Sequence, residues 1–501
     1  MQKIDFKNRK KIFRIGFYVF TLLFIIVFTS QCFAESTSTN ESITRFQYLK
    51  KLYTIFDFVQ KNYVDEVDAA TLYEGAIKGL MQSLDDPYTS YLDPDTIRDL
   101  NDTTTGNFGG VGLSISKPNE SKPGKPAYVE VASPIEDSPG AKAGILAGDY
   151  IIAINGKSTT EMTMDDVLGQ LRGEIGKPVT VTILRGKNLK FDVELIRALI
   201  EVPTVKYGMI NETGYVRIIQ FTPDTPERVQ DAIDHFVKHN YKNMIIDLRD
   251  NPGGLITSVA DVADKFIDEG PIVSTKSRLH YENTVFNANP DTTKVKNVPI
   301  VVLINQGSAS ASEILAGALK DNHLAYLVGQ RTYGKGSVQK VVPLGEEEGI
   351  KMTIARYYTP SDTNIDKIGI PPDQEVLYPK LTEEDEKNYA KLIESDEVNK
   401  YVESHPKMSE DDIAAFAVEL NKTYNLDLRL LRRLIRIRVW KTEPTHLYDL
   451  DYDIQLNAAL DVLKNENDFY ELVKSTKTLK ELQEEAKKSD ESLKENKDGT
   501  N

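Results

Sequence analysis

Hydrophobic and polar positions change texture several times along the chain. An uninterrupted apolar run extends from Ile15 to Phe28. Phe46, Leu49, Leu52, Tyr53, Phe56 and Val59 then recur at helical spacing, which predicts a helix ending near Tyr63-Val64. A second helix, from about Ala69, carries Leu72, Ala76, Ile77 and Leu80 and stops before Pro87, which cannot continue it. From about Gly106 to Arg197 the pattern shortens to strands broken by glycine turns. It comprises a glycine-rich loop Phe108–Ile115, a strand Tyr128–Ala132, a short helix Ser138–Ile145, and a strand Asp149–Asn155 entering an Asn155-Gly156 hairpin turn. A helix Thr163–Leu171 and a strand Val179–Arg185 complete the unit.

From about Ala198 to Val376 strands alternate with helices. Strands Tyr215–Ile219, Met244–Leu248, Pro299–Ile304 and Ala325–Val328 are interleaved with helices Pro226–Asn240, Ile256–Ile267 and Ser310–Lys320. The near-continuous apolar strand Pro299–Ile304 is the pattern of a strand covered on both faces. Strands near Val338–Pro343 and Ile350–Tyr358 end the unit. Beyond Pro379 the chain is charged and helical. Leu428–Trp440 mixes Leu and Ile with five arginines, a pattern that suits a membrane or nucleic-acid surface. The acidic flanks Glu383–Glu386 and Asp449–Asp453 favour instead an intramolecular or intersubunit bundle. The Lys/Glu-rich stretch after Lys474 is expected to be frayed or disordered.

Charge and composition narrow the function classes. A formal net charge of −15 argues against non-specific nucleic-acid binding. The six histidines are scattered, none opens an H-E-x-x-H motif, and Cys32 is the only cysteine. His235 and His239 stand four apart without a third ligand signal, so they are read as a solvated helix face and no metal site is expected. Lys3, Lys7, Arg9, Lys10, Lys11 and Arg14 precede the Ile15–Phe28 run, and small residues follow at Cys32 and Ala34. This describes a secretory signal cut after Ala34, or an uncleaved anchor with its positive end inside. Either places the working domains outside the cytoplasm, periplasmic or in the cell envelope.

Chemistry concentrates in two stretches, Asn305–Glu313 and Thr332–Gln339. Ser310-Ala311-Ser312-Glu313 has the form of a helix capping box, the plain structural alternative to a catalytic serine. Small residues, a buried strand leading in and a helix N-terminus suit a nucleophile and a developing oxyanion. Lys335 stands between Gly334 and Gly336. A lysine with its ordinary pKa of about 10.4 is protonated at neutral pH, so it acts as a base only where burial favours the neutral amine. The carbonyl oxygen of Gln339 can orient that amine without adding charge. The alternative for Gly334-Lys335-Gly336 is an exposed hairpin turn.

Together these stretches resemble the signature of the carboxyl-terminal processing proteases, serine peptidases of the S41 type. In that family the middle serine of Ser-Ala-Ser-Ala-Ser-Glu is the nucleophile, here Ser310. The dyad lysine follows 25 positions later (335 − 310), at Lys335, and the assisting glutamine is Gln339. The resemblance extends to Asp247–Gly254 and the helices ending at Ser83-Leu84-Asp85, and covers about residues 45–378. The ordered strands between Gly106 and Arg197 resemble a PDZ domain, with Gly110, Val111, Gly112 and Leu113 at the carboxylate-binding loop. One departure is Pro360-Ser361-Asp362 where the family often has Pro-Ser-Gly.

The resemblance implies a multidomain α/β chain: a ClpP/crotonase-like α/β-spiral peptidase core with an inserted PDZ domain and helical N- and C-terminal regions. The expected division is a signal or anchor at 1–34, N-terminal helices at 35–105, PDZ domain at 106–197, peptidase core at 198–378, C-terminal helices at 379–474 and a disordered tail at 475–501. It implies cleavage of polypeptides captured by apolar C-termini, with backbone amides of Ala311 and of Gly253 or Gly254 as the oxyanion hole, and no metal or organic cofactor. Arg172 is expected to couple peptide capture to the active site. The helical ends are expected to carry any homodimer or higher oligomer, and the N-terminal segment any membrane contact. Two other classes stay open: a PDZ scaffold with a decayed site, against which Ser310, Lys335 and Gln339 argue, and an acyl-transfer or hydratase-like enzyme on a similar spiral.

Overall fold

A computed structural model describes residues 44–498, apart from 95, 98–99, 101–106, 119–120, 122–125, 136–137, 147, 187–188, 202, 346–347, 380, 406, 441–446 and 465. The leader expected at 1–34 lies outside the described residues, among which no helix is long and apolar enough to cross a membrane. The chain forms two compact units, residues 1–91 and 92–501.

The first unit contributes helices α1 (44–62) and α2 (Ala69–Gln82). Their periodic apolar stripe forms as expected but is not buried. Phe46 is 68% exposed, Leu49 64% and Tyr53 71%.

The second unit begins with a small antiparallel domain. Strands β1 (Asn107–Gly110) and β8 (Ala198–Glu201) pair as a ribbon at its two chain ends. Between them lie β2 (Leu113–Ser116), β3 (Val129–Pro134), α3 (Pro139–Lys142), β4 (Tyr150–Ile154), β5 (Lys157–Ser158), α4 (Met164–Leu171), β6 (Pro178–Arg185) and β7 (Leu189–Ile196). Sheet order is β2-β3-β4-β6-β7, with β5 on β4. Asn155 and Gly156 take φ of 50° and 76°, the left-handed pair a tight hairpin needs. Alternate residues of these strands, Val129, Val131, Ile151, Val181 and Ile183, are fully buried. Each such side chain stabilises by about 1.5–3 kcal/mol.

The catalytic-domain candidate is a six-stranded sheet of β9 (Val205–Ile210), β10 (Thr213–Ile218), β11 (Asn243–Asp247), β14 (Ile300–Ile304), β15 (Ala325–Gly329) and β18 (Gln374–Glu375) in that order. All neighbours are parallel except β9 and β10. Helices α5 (Thr225–Lys238), α6 (Ile256–Ala263) and α7 (Ala311–Asp321) cover one face, where Ile218, Ile246 and Val302 meet Val229, Val259 and Leu315. A second, antiparallel sheet places β17 (Gly349–Tyr358) between β16 (Ser337–Pro343) and β12 (Pro271–Ser277), with β13 (Thr284–Asn287) beyond β12. Asp362 adopts φ 61° at the turn where glycine is customary, and its carboxylate pairs with Lys276.

The other face of the parallel sheet is covered from far along the chain. Helices α12 (Ile454–Leu463) and α13 (Glu466–Lys474) place Leu456, Ala459, Leu463, Phe469 and Val473 on Ile245, Val301, Leu303 and Val328. Helices α8 (Glu383–Ser395), α9 (Glu397–Ser404), α10 (Glu410–Tyr424) and α11 (Leu428–Trp440) form their own apolar cluster around Leu420, Leu431 and Ile435. Arg436 of α11 is buried among Glu410, Asp449 and Asp451, the intramolecular pairing that the acidic flanks favoured.

The expectation of a disordered tail from 475 needs correction. Helix α14 (Leu479–Asp498) follows, and its first turn docks. Leu479 is buried in the main core, its amide donates to Asp321 Oδ1 at 2.8 Å, and Gln483 Nε2 donates to the Asn364 carbonyl at 2.9 Å. Composition missed it because two apolar residues at the helix start, Leu479 and Leu482, suffice to seat a helix that is otherwise charged.

Candidate active site

Ser310 stands where β14 ends and α7 begins, with φ 55° and ψ −114°. An ordinary N-cap residue has extended backbone, so this strained value marks a sharp strand-to-helix turn rather than a simple cap. Neighbouring polar side chains hold the turn. Asn305 Oδ1 accepts from the amides of Asp250 (2.9 Å) and Gly307 (3.0 Å). Ser308 Oγ donates to the Leu248 carbonyl (2.8 Å), and Ser312 Oγ to the Asn251 carbonyl (2.9 Å), which also takes the Ala309 amide (3.0 Å). Ser308 and Ser312 therefore bind the turn to the loop after β11. That leaves Ser310, of the three serines, as the one at the strained position.

The Asp250–Gly254 loop packs directly on this turn. A Cβ on Gly253, whose φ is 107°, would lie 2.8 Å from the Ala309 oxygen and from Ser310 Cβ, and 2.9 Å from Ala311 N. Gly253 N–H donates to Asn251 Oδ1 at 2.9 Å. Its amide thus has an acceptor within its own loop, and its missing side chain is what lets the loop meet the serine turn. Among the described residues neither the Ala311 nor the Gly254 amide has an acceptor. Gly254 is held by its neighbours: Phe221 N–H donates to the Gly253 carbonyl (2.9 Å) and Leu255 N–H to the Phe221 carbonyl (2.8 Å).

Lys335 lies in the loop from β15 to β16, half-buried rather than on an exposed hairpin. Its flanking glycines are required by close approach. A Cβ on Gly334 would come within 2.9 Å of the Gly369 amide, and one on Gly336 within 2.6 Å of the Asp366 amide. Gln339 Nε2 donates to Ser337 Oγ (2.9 Å) and Thr353 Oγ1 (3.3 Å). The β16–β17 pairing slips at Val338/Gln339, and such a bulge re-aims the side chain that follows it.

One side chain joins the serine turn to the lysine loop. The fully buried Glu313 accepts on Oε2 from the amides of Ser310 (2.8 Å) and Lys335 (2.9 Å). On Oε1 it accepts from the Gly334 amide (2.7 Å) and Thr332 Oγ1 (2.5 Å). Burial pushes this carboxyl above its ordinary range, and the four donors only partly oppose that. The Glu313 amide itself goes to the Ser310 carbonyl (2.9 Å). Tyr357, also buried, sets its hydroxyl against the carbonyls of Lys335 and Ser310, the latter at 3.3 Å. The sequence pattern flagged Glu313 only as half of a capping box. It carried no signal for Tyr357, which arrives from a separate sheet.

Behind the Asp250–Gly254 loop is a buried ionic cluster. Arg249 donates to Asp247 through Nε (2.9 Å) and Nη2 (2.6 Å), and Tyr215 donates to the same carboxylate (2.7 Å). Burial alone would raise the Asp247 carboxyl, but Arg249, Arg217 and Tyr215 hold it below the usual carboxylate range.

In the small domain, the Val111 carbonyl accepts from Gly140 N (2.8 Å), and the Gly112 carbonyl from Ile135 N (2.9 Å) and Ser138 Oγ (2.9 Å). With these carbonyls bound to the start of α3, the Gly110–Leu113 loop keeps a fixed course into β2. Gly112 (φ 68°) leaves no room for a Cβ, which would fall 2.2 Å from Ser138 Cβ. The Arg172 guanidinium lies over the Phe108 ring of β1 at 4.9 Å, on the ribbon that joins this domain to the core. The rings of His235 and His239 lie 4.2 Å apart and are tilted by 34°, and among the described residues no group of three metal-ligating side chains occurs.

Comparison with known proteins agrees with this layout. The description "Peptidase family S41" matches residues 212–376, "PDZ domain" matches 130–185, and "Activating protease CtpB N-terminal domain" matches 26–96. The chain is 42% identical over 352 residues to a carboxy-terminal-processing protease of Bartonella bacilliformis, covering 69% of this chain and 79% of that one. It is 34% identical over 351 residues to the carboxy-terminal processing protease CtpA of Bacillus subtilis, covering 70% and 72%. Among solved structures, a photosystem II D1 C-terminal processing protease is similar at 29% identity and a TM-score of 0.40, covering 65% of this chain and 92% of that one.

Proposed function

Because the chain belongs to the carboxy-terminal processing proteases, PDZ-bearing serine peptidases of family S41, we propose that it is an exported endopeptidase working through a Ser310/Lys335 dyad. The observation that carries this reading is Glu313. One buried carboxylate accepts from the amides of both Ser310 and Lys335, so the two residues are held by a common clamp although they are far apart in sequence.

In the proposed reaction the neutral Lys335 amine takes the Ser310 hydroxyl proton as Oγ attacks the peptide carbonyl carbon. The resulting oxyanion accepts from the amides of Ala311 and Gly254, at the N-terminus of α7 where negative charge is favoured. Collapse breaks the C–N bond. The leaving amine takes the proton from Lys335, and an ester to Ser310 remains. Water then attacks the ester, giving its proton to Lys335, and the new carboxylate departs as Ser310 is reprotonated. Gln339, its donor end fixed on Ser337 and Thr353, has its carbonyl oxygen to orient the amine. The Gly110–Leu113 loop takes the substrate C-terminus, with its apolar last side chain, beside the β2 edge. Export by the N-terminal segment and coupling through Arg172 belong to the same reading.

Cleavage of an unstructured protein by the chain lacking residues 1–34 tests it. Ser310→Ala and Lys335→Ala are each expected to lower kcat by at least about 10³-fold; unchanged rates for both would refute the dyad.

A further inference from the structure

We propose that Asp453, far outside the matched peptidase segment at 212–376, is a positioning residue for the peptidase reaction, holding through Arg249 the loop that presents the Gly254 amide. The inference rests on the function proposed above.

Arg249 directly precedes the Asp250–Gly254 loop, and its side chain is only 9% exposed. One edge of its guanidinium is bound to Asp247. The remaining donors meet Asp453 as a fork, Nη1 to Oδ1 at 2.8 Å and Nη2 to Oδ2 at 2.7 Å, with Nη1 also 3.2 Å from Gln455 Oε1. A two-pronged contact fixes both the place and the plane of the guanidinium, which a lysine could not provide.

Asp453 is itself immobilised. It caps α12 by accepting from Leu456 N (2.9 Å) and accepts from the Tyr378 hydroxyl (3.2 Å). Gln455 Nε2 is bound to the Val376 carbonyl at 2.9 Å. Helix α12 in turn is seated on the parallel sheet by Leu456, Ala459 and Leu463.

On the other side the contacts run into the reaction site. Two residues beyond Arg249, the Asn251 carbonyl holds Ala309 N and Ser312 Oγ, and its side chain holds the Gly253 amide. A path therefore leads from α12 through the polar contacts of Asp453 and Arg249, along the backbone from Arg249 to Asn251, and through the polar contacts of Asn251 to both sides of Ser310. Buried ion pairs are poor sources of net stability compared with apolar packing, and in the role proposed here the fork serves geometry.

The test uses the chain lacking residues 1–34, with Asp453→Asn as the main variant, since it keeps the α12 cap and removes the charge and one prong. Expected results are a 10- to 100-fold lower kcat on an unstructured protein, KM within about twofold of the parent, and labelling of Ser310 by a fluorophosphonate reagent slowed by the same factor. The melting temperature should fall by only a few degrees, and Asp453→Glu should recover part of the lost rate. Unchanged kcat and labelling, or a fall in kcat explained by the fraction unfolded, would overturn the proposal. Should Asp453→Asn not fold, Arg249→Lys carries the test, because lysine keeps the charge beside Asp247 but cannot form the fork. Unchanged labelling there overturns the proposal, and slowed labelling supports it. Ser310→Ala run alongside separates the two levels. If it retains turnover, the dyad reading fails; if it is inactive while Asp453→Asn is normal, only the positioning role fails.

Discussion

Two glycine loops are held in different ways in this chain, and the function proposed above asks different things of them. The Asp250–Gly254 loop is pressed against the Ser310 turn with side chains of Asn251, Asn305 and Arg249 fixing it from three directions. The Gly110–Leu113 loop is held mainly through its carbonyls, by the start of the four-residue helix α3. Transition-state stabilisation is lost when donors move by a fraction of an ångström, whereas capture of a flexible peptide end tolerates more adjustment. Both loops are crowded at a glycine, with a Cβ falling 2.8 Å from its neighbours at Gly253 and 2.2 Å at Gly112, and they differ in what holds them: side chains at the first and backbone carbonyls at the second.

The largest break in the comparison should come from the clamp on the chemical side. Glu313→Gln replaces an acceptor oxygen with an NH2 that faces donors, and kcat is expected to fall by about 10²–10³-fold with little change in KM. Acid tests the same residue. Its raised pKa means the folded chain takes up this proton before the unfolded chain does. The group's contribution to stability is therefore fully present below the unfolded value and is lost as pH rises through the folded one. Activity moves the opposite way, since protonation removes an acceptor from the clamp. The proposed general base Lys335 must be neutral and so contributes an acid limb of its own to the pH–kcat profile; protonation of Glu313 should add a further loss that begins above the ordinary carboxylate range while the melting temperature holds.

Gly253→Ala should rank next. The added Cβ meets Ala309 and Ser310 at 2.8 Å and the φ of 107° is unfavourable for alanine, so kcat should drop by about 10²-fold. In contrast, Gly112→Ala should raise KM for long substrates several-fold, to about 3–10-fold, and leave turnover of a short peptide unchanged. Equal effects of the two substitutions on kcat would erase the distinction between the loops.

The smallest effect concerns the stability of the PDZ domain. Burial alone would raise the Asp149 carboxyl, but the Arg185 fork (2.8 and 2.7 Å) and the Leu146 amide hold it below its usual value. Its contribution is present above the unfolded pKa of about 3.9 and is lost as pH falls through the lower folded value. Arg185→Gln should remove this acid dependence from the domain's melting curve and leave the acid side of the pH–kcat profile in place.

Much of this layout is legible in the chain itself, because its signals are local. Alternation of apolar residues, the Asn155-Gly156 turn and the small residues around Ser310 act over a few positions, where backbone sterics and hydrophobic period decide the outcome. The apolar run Pro299–Ile304 likewise announced a strand covered on both sides, and β14 is buried throughout. What covers its second face could not be read there, since Leu456 and Phe469 show ordinary helical spacing and nothing in their neighbourhood names the sheet they meet. The stripe from Phe46 to Val59 has a similar period to those helices, yet Phe46, Leu49 and Tyr53 are exposed in their own unit. Period alone does not distinguish the two cases.

At the active site the division is the same. Sequence determined that a serine lies at a helix start and a lysine between glycines, since turn chemistry is written in adjacent residues. Tertiary structure alone decided that Glu313 would serve both loops, that Tyr357 would lie between the carbonyls of Ser310 and Lys335, and that Arg249 would meet a carboxylate 204 residues away (453 − 249). Such contacts depend on the packing of whole elements, whose relative positions are set by the summed burial of many side chains and by no single motif.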